Sequence, residues 1–219
     1  MAKKKKRWPR NEILYNEVQE SEFLNFFDYV KFLANKVCKT RKMKSIITCM
    51  IIWRKFPNLS VRRARGFLLL LRKFEIIHVN IPCFKTLSNY NENNSIQPIL
   101  DKLIEESSKP MSAIEIDFAT DMTGIRTCLF SSWFSLRANK TIERRDHVRD
   151  HITAGLKSMI VTAVDIRMKE GEDGIIMRSH VDKVDENFTI NNWMGDTKYW
   201  SKKNCEKVDD KGGDPYFKG

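Results

Sequence analysis

Apolar residues in the first half of the chain recur every three to four positions, which predicts helices with one buried face. Such a stripe runs through residues 21–38, with Ser21 as a suitable N-cap. A second helix is predicted over residues 44–56, which is almost wholly apolar from Ile46 to Trp53 and ends before Pro57. This second helix is therefore expected at the centre of an N-terminal helical bundle.

Two more helices are predicted next along the chain. Ser60 is the expected N-cap of a helix with the sequence VRRARGFLLLLRKF, in which residues 67–71 are expected to be buried. Pro82 is the expected first residue of a short polar helix that continues with CFKTLSNYN. The order of helix, connection and short helix is similar to a helix-turn-helix, and a plain helical bundle explains it equally well. A further amphipathic helix is predicted over residues 96–106, and SSKP at 107–110 has the composition of a linker.

Beyond that linker the spacing changes to alternation and to short β-branched runs. Strands are predicted at residues 113–119, 127–136 and 156–167, and three strands in succession favour an antiparallel meander. The charged segment at 139–151 is interpreted as a solvated loop or as a hairpin tip near a polyanion. The remaining prediction is a helix at 172–186, a strand at 188–194, a helix capped by Ser201, and a short strand at 215–217.

The fold class predicted from these patterns is α+β, with a helical region followed by a sheet and helices. We expect a basic tail over residues 1–20, a helical domain over 21–108 and a sheet-containing domain over 112–219.

Charge is concentrated in the helical half. Residues 1–110 contain 22 Lys and Arg against 10 Asp and Glu, whereas residues 111–219 contain 17 against 18. This asymmetry favours nucleic acid as a partner over an anionic membrane, and the alternative is a basic protein without such a partner. The apolar runs are well short of the roughly 20 residues that span a bilayer. The 5 cysteines are scattered without a C-x-x-C pair, so neither a zinc site nor a disulfide framework is predicted.

The candidate DNA contacts lie on the third helix and on the short polar helix. Lys and Arg side chains hold phosphates, whereas hydroxyl and amide groups can hydrogen-bond to base edges. The residues expected in this role are Arg62, Arg63, Arg65, Lys85, Thr86, Ser88, Asn89 and Tyr90.

Two aspartates are candidate metal ligands in the second half. The stretch SAIEIDFATDMTGIR at 112–126 is predicted to be a strand that ends in a turn at residues 121–124, which leaves Asp121 at the strand's end. Asp196 follows the predicted fourth strand. If the two strands are neighbours, these carboxylates converge, and carboxylate oxygens suit hard divalent cations. Asp117 is the alternative to Asp121.

Several segments, in their order and spacing, resemble insertion-sequence transposases of the DDE class over residues 57–219. They are LSVRRARGFLLLL, PCFKTLSNYNENNSIQPILDKLI, DFATDMTGI with SSWF, HITAGLKSMIVTAVDI, WMGDTKYWSKKNCEKV and GGDPYFKG. The resemblance implies an RNase H-like catalytic domain that cleaves and joins double-stranded DNA at transposon ends with Mg2+ or Mn2+. It also implies that Asp121, which begins the D-x-T-G pattern, is the first catalytic and metal-binding aspartate and that Asp196 is the second.

Two positions depart from the family pattern. Lys198 lies one place later than the family's lysine after the second aspartate, so its role as a DNA contact is less defined. The family's third acid, a glutamate on a later helix, has no counterpart here, because Glu206 lies on the helix directly after the fourth strand. The expectation is an incomplete RNase H-like domain in a truncated or split transposase with impaired catalysis.

A downstream polypeptide could supply the missing glutamate, and a homodimer is a further possible assembly. The alternative function is a non-catalytic DNA-binding remnant that occupies transposon ends. A third alternative is an unstable relic, since a sheet without its later helices exposes apolar surface. The expected location is the cytoplasm of a prokaryote, in association with the nucleoid.

Overall fold

A computed structural model of the protein describes residues 12–56, 58–126, 147–167 and 173–218. These residues form an α+β structure with seven α-helices and one five-stranded mixed sheet, so the predicted fold class is confirmed. The chain divides into two compact units, Met1–Ile99 and Leu100–Gly219.

The first half of the chain is helical. Its elements are α1 (Glu12–Val37), α2 (Arg41–Lys55), α3 (Val61–Lys73), α4 (Phe84–Asn91), a 3-10 turn (Asn94–Ile96) and α5 (Gln97–Ser108). Ser60 caps α3 as predicted, because its side chain accepts a hydrogen bond from the amide of Arg63. The central position predicted for α2 is confirmed by its fully buried residues Ile47, Cys49 and Ile52.

Three local predictions for these helices are wrong. Ser21 is not an N-cap, because α1 begins at Glu12 and no glycine or proline interrupts it before Ser21. Pro82 does not start α4, whose N-cap is Cys83. Residues 67–71 are not buried as a block: Leu68 and Leu71 point inward at helical spacing, whereas the two leucines between them are exposed.

The second half begins with a 3-10 turn (Lys109–Met111) and continues with five strands and two helices. In chain order they are β1 (Asp117–Arg126), β2 (His147–Gly155), β3 (Val161–Arg167), α6 (Asp173–Asp185), β4 (Asn192–Gly195), a 3-10 turn (Thr197–Tyr199), α7 (Lys202–Asp209) and β5 (Asp214–Phe217). The predictions of α6, of a helix capped by Ser201 and of a final short strand are confirmed.

The strands lie side by side in the order β3-β2-β1-β4-β5. β1, β2 and β3 form an antiparallel meander whose middle strand, β2, was not predicted, whereas β4 is parallel to β1 and β5 is parallel to β4. The strand predicted at residues 127–136 lies outside the described residues. The loop predicted at 139–151 is wrong for its last five residues, which belong to β2, because their backbone pairs with both β1 and β3.

The turn predicted at residues 121–124 is also wrong. β1 starts later than predicted, at Asp117, and continues through Asp121 to Arg126, because each of these residues has a partner in β2. The D-x-T-G pattern favours a turn locally, and the cross-strand pairing overrides that preference.

One face of the sheet, here called the covered face, packs against α6 and α7. Its core contains the fully buried Phe118 and Trp193 from the sheet, Met177 and Val181 from α6, and Val208 from α7. Side chains alternate along each strand, so the neighbouring positions point to the opposite face. On this second face, here called the exposed face, the exposed side chains include Asp121, Thr123, Ile125, Met194 and Tyr216.

A buried glutamate fixes the start of β1. The carboxylate of Glu115 is fully buried and accepts hydrogen bonds from the amides of Lys157, at 3.1 Å, and Ser158 in the turn between β2 and β3. A Cβ atom at Gly155 would lie 2.5 Å from the carboxyl carbon of Glu115, so the turn closes on the carboxylate only because residue 155 is glycine. Burial raises the pKa of Glu115, but the hydrogen bonds from Ser158 and Lys157 outweigh it and leave the pKa below its usual value.

Candidate active site

The pairing of β1 with β4 brings the two predicted aspartates together. The last pair in this parallel register is Thr120 opposite Gly195, and the residues that follow are Asp121 and Asp196. Adjacent strands lie about 4.8 Å apart, so the two carboxylates project from neighbouring backbone positions. The condition on which the sequence predicted their convergence, that β1 and β4 are neighbours, is therefore met.

A neighbouring amide orients each of these carboxylates. Asp196 is the N-cap of the 3-10 turn, and its Oδ1 accepts a hydrogen bond from the Thr197 amide at 2.7 Å. Oδ1 of Asp121 accepts one from the Met122 amide at 2.7 Å. Both side chains are exposed, which leaves them accessible to an ion or a phosphate from solution.

Asp117, the alternative to Asp121, has a different position. It lies opposite Asn192 at the other end of the β1 and β4 pairing, where its Oδ1 accepts hydrogen bonds from the side-chain amides of Asn191, at 3.2 Å, and Asn192, at 2.6 Å. These two hydrogen bonds hold the pKa of Asp117 below its usual value. Asp117 therefore joins the starts of two strands and lies four residues away from the carboxylate pair.

A buried tyrosine lies close to the carboxylate pair. The hydroxyl of Tyr199, which is only 1% exposed, is 2.9 Å from Nδ1 of His151. Burial raises the pKa of Tyr199 strongly, and the negative charges of Asp173, Asp121 and Asp196 raise it further, so the phenol remains protonated.

The other side of the His151 ring faces α6. Its Nε2 is 3.7 Å from Oδ1 of Asp173, and Nη1 of Arg149 is 3.5 Å from the same oxygen. Within the described residues, neither His151 Nε2 nor this Asp173 oxygen has a hydrogen-bond partner. Burial is the main cause that lowers the pKa of His151, and it outweighs the nearby carboxylates. His151 is therefore neutral near pH 7 and lies between Tyr199 and Asp173.

A second polar chain crosses the covered face beside this group. The hydroxyls of Thr120 and Thr153 are 2.7 Å apart, and the Thr153 hydroxyl is 2.8 Å from Nδ1 of His180. All three side chains are buried. Burial, with a smaller contribution from the charge of Lys183, lowers the pKa of His180 from 6.5 to about 4. This chain stabilises the contact of α6 with the sheet and does not reach the exposed carboxylates.

Sequence reasoning missed His151, Asp173 and Tyr199. The available signal was the alternation of His151 with Thr153 in β2, a pattern typical of a strand with one buried polar face. This alternation does not indicate a role near Asp121 unless β2 is known to lie next to β1.

In the part of the chain that the structure describes, no three His, Cys, Asp or Glu side chains form a group that could hold a metal ion. Glu206 lies on α7, where it is 3.6 Å from Lys202. Lys198 is exposed in the turn that Asp196 caps. Asp121 and Asp196 are thus two potential ligands with a neighbouring cation.

The predicted DNA contacts on α3 differ in their surroundings. Arg62 and Arg63 are exposed, and the guanidinium of Arg62 stacks 4.7 Å from the ring centroid of Phe84. Arg65 is half-buried and its Nε donates to the carbonyl of Pro82 at 3.2 Å. Arg65 therefore also holds the start of α4 against α3, whereas the two other arginines present their charge to solvent.

The predicted contacts on α4 lie around the buried Leu87. Lys85 and Asn89 are exposed and, four residues apart, share one face of the helix. Thr86, Ser88 and Tyr90 are half-buried; the Thr86 hydroxyl is 3.1 Å from the thiol of Cys83, and the Ser88 hydroxyl donates to Glu92 at 3.2 Å. Residues 74–83 separate α3 from α4, a connection longer than the three or four residues typical of a helix-turn-helix.

Comparison of the chain with protein-family models, with curated proteins and with solved structures finds no match. Among the described residues, none of the helices is both long enough and apolar enough to cross a membrane.

Proposed function

We propose that the chain acts in DNA transposition, binding double-stranded DNA through its basic helical half and divalent metal ions through Asp121 and Asp196. The observation that carries this proposal is the parallel pairing of β1 with β4, which aligns the two aspartates at adjacent positions. The mixed sheet, with helices between its later strands, supports the RNase H-like interpretation given by the sequence resemblance.

The chemistry of the pair suits Mg2+ or Mn2+. Both side chains offer carboxylate oxygens, which hard divalent cations prefer to imidazole or thiolate. Bound cations would polarise the scissile phosphate and stabilise the leaving oxygen. Lys198, exposed in the turn that Asp196 caps, would provide a positive charge for a neighbouring phosphate.

The DNA-binding part of the proposal is supported by exposed cations on α3 and α4. Arg62, Arg63 and Lys85 present charge to solvent, and Asn89 lies on the same face of α4 as Lys85. In this role the cations hold phosphates and Asn89 is available for a base edge. The structure of these helices favours backbone contacts over a standard helix-turn-helix, because the connection between them is long.

Metal binding tests the catalytic half of the proposal. We expect the full chain to bind Mn2+, measured by the loss of the free-ion electron paramagnetic resonance signal, and we expect Asp121→Asn or Asp196→Asn to weaken that binding at least tenfold. Asp209→Asn, on the exposed end of α7, is the matched control and should bind like the unmodified chain. Equal binding by all three variants would reject the metal site.

Salt-dependent DNA binding tests the other half. Replacement of Arg62, Arg63 and Lys85 by alanine should reduce the slope of log K against log salt by about 0.9 for each phosphate that these cations neutralise. Replacement of Lys202 and Lys203, two exposed lysines of the second unit, removes charge without touching the proposed surface. Fluorescence anisotropy with a labelled duplex measures both slopes, and equal slopes for the two variants would contradict the proposed surface.

A second candidate function is DNA binding without catalysis. It is favoured by the finding that the described residues contribute two carboxylates and no third to a metal group. A nicking assay with Mg2+ separates the two functions: cleavage that Asp121→Asn abolishes supports the enzyme. Unchanged DNA binding with no cleavage, alone or with a polypeptide that supplies a further glutamate, supports the non-catalytic protein.

A further inference from the structure

The turn that carries Asp196 is held from inside the protein by Tyr199. The Tyr199 amide donates to the carbonyl of Asp196 at 2.9 Å and closes the 3-10 turn that Asp196 caps. The carbonyl of Tyr199 accepts a hydrogen bond from Nδ2 of Asn204 at 2.6 Å, and Oδ1 of the same asparagine accepts one from Arg178 at 2.6 Å. The backbone of Tyr199 therefore ties the Asp196 turn to α7 and, through Asn204, to α6.

The partner of Tyr199 belongs to the strand next to Asp121. His151 lies in β2 directly opposite Met122, the residue that follows Asp121 in β1. The hydrogen bond between His151 Nδ1 and the Tyr199 hydroxyl, 2.9 Å long and fully buried, thus joins the Asp121 segment to the Asp196 turn. This hydrogen bond matters because the backbone pairing of β1 with β4 ends at Thr120 and Gly195, before either aspartate.

The surroundings determine the direction of this hydrogen bond. Because the phenol keeps its proton, it donates to Nδ1, and the imidazole proton then lies on Nε2. Nε2 faces the carboxylate of Asp173 at 3.7 Å, and that carboxylate is also 3.5 Å from Arg149. A negative charge on this side favours the Nε2–H tautomer, which leaves Nδ1 as the acceptor that Tyr199 needs.

We propose that Tyr199 and His151 are positioning residues that hold the carboxylate of Asp196 at a fixed distance from that of Asp121, with Asp173 selecting the His151 tautomer. This inference rests on the proposed function, since it assigns the pair a role in binding the divalent cation. Neither side chain touches the ion. They keep the two exposed carboxylates preorganised, because the pairing of β1 with β4 stops one residue before each aspartate.

The test is Mn2+ binding by the full chain, measured by electron paramagnetic resonance. Tyr199→Phe removes only the hydroxyl and should raise the Kd for Mn2+ about tenfold. His151→Leu removes the acceptor and should do the same, whereas His151→Asn places an amide oxygen at the position of Nδ1 and should restore binding to within about twofold of the unmodified chain. Tyr216→Phe removes an exposed hydroxyl from β5 of the same sheet and is the matched control.

Circular dichroism melting of each variant separates this role from a loss of folding. The inference is supported if Tyr199→Phe and His151→Leu weaken Mn2+ binding in samples that are still fully folded at the assay temperature, and if His151→Asn restores it. It is overturned if folded Tyr199→Phe binds Mn2+ as the unmodified chain does, a result that leaves the proposed function intact. If the unmodified chain shows no Mn2+ binding that depends on Asp121, the proposed metal site fails and this inference fails with it.

Discussion

Both faces of the central sheet carry polar side chains, but those on the covered face are buried and those on the exposed face are open to solvent. On the covered face, the hydroxyls of Thr120 and Thr153 and the ring of His180 are buried and hydrogen-bonded to one another. On the exposed face, Asp121 and the adjacent Asp196 are open to solvent and are bonded to the amide of the next residue.

This difference separates residues that maintain the fold from residues that are available to a ligand. Buried polar groups must find partners within the protein, since an unsatisfied one is strongly destabilising. Exposed carboxylates gain little stability from their position, so Asp121 and Asp196 remain accessible to a ligand, and metal binding is the role proposed for them. Substitutions on the two faces should therefore have different consequences.

The largest contrast is expected between two consecutive residues of β4. Trp193 is fully buried on the covered face, whereas Met194 is 39% exposed on the other. Trp193→Ala should lower the free energy of unfolding by about 3–5 kcal/mol, because it leaves a large cavity in the core. Met194→Ala should lower it by less than about 1 kcal/mol. Urea denaturation measures both, and similar losses would contradict the assignment of the two faces.

The next effect concerns pH. The pKa of His180 is lowered from 6.5 to about 4, so the unfolded chain binds a proton more readily than the folded one. The stability that neutral His180 contributes is therefore complete above pH 6.5 and is lost as the pH falls towards about 4, by about 3 kcal/mol in total. His180→Asn, which keeps a polar atom opposite the Thr153 hydroxyl, should remove this part of the pH dependence.

Urea denaturation at pH 7 and pH 4.5 checks this expectation by comparing the loss in the unmodified chain with that in the variant. An equal loss of unfolding free energy in both proteins would mean that burial does not lower the pKa of His180.

A smaller effect is expected from two threonines on opposite faces. Thr153→Val removes the hydroxyl that lies between Thr120 and His180, and it should destabilise the protein by about 1–3 kcal/mol because two buried groups are left without a partner. Thr123→Val, at an exposed position of β1, should change stability by no more than about 0.5 kcal/mol. Thermal melting measures both, and a neutral Thr153→Val would show that the buried chain does not stabilise the fold.

The smallest effect on stability should come from the candidate site itself. With a chelator present, Asp121→Asn should change the free energy of unfolding by no more than about 0.5 kcal/mol, because the side chain is exposed. With Mn2+ present, the unmodified chain should melt at a higher temperature and the variant should not, since an ion that binds only the folded state stabilises it. A large loss of stability without metal would give Asp121 a structural role instead.

The sequence predicted those elements whose spacing repeats over many residues, such as α2, α3 and α6, because a helical stripe is a local property. It missed β2, whose first residues are charged and whose strand conformation depends on pairing with β1 and β3. It also ended β1 too early, since the preference of Asp121 and Gly124 for a turn is local and the pairing that overrides it is not.

The same distinction applies to the site. Asp121 and Asp196 could be singled out from their positions near the ends of predicted strands, and their proximity followed only if β1 and β4 were neighbours. The contact between His151 and Tyr199 joins residues 48 positions apart in the chain. No spacing within either segment contains that information, so this part of the site required the structure.

The close contact of Glu115 with Gly155 limits which substitutions can be accepted at these two positions. Any side chain at position 155 would collide with the carboxyl group of Glu115, at 2.5 Å from a Cβ atom. A shorter residue at 115 would relieve the collision, but it would also leave the amides of Lys157 and Ser158 without their acceptor. The two positions can therefore vary only as a pair and through a less stable intermediate, so drift at either one is blocked while the other is retained.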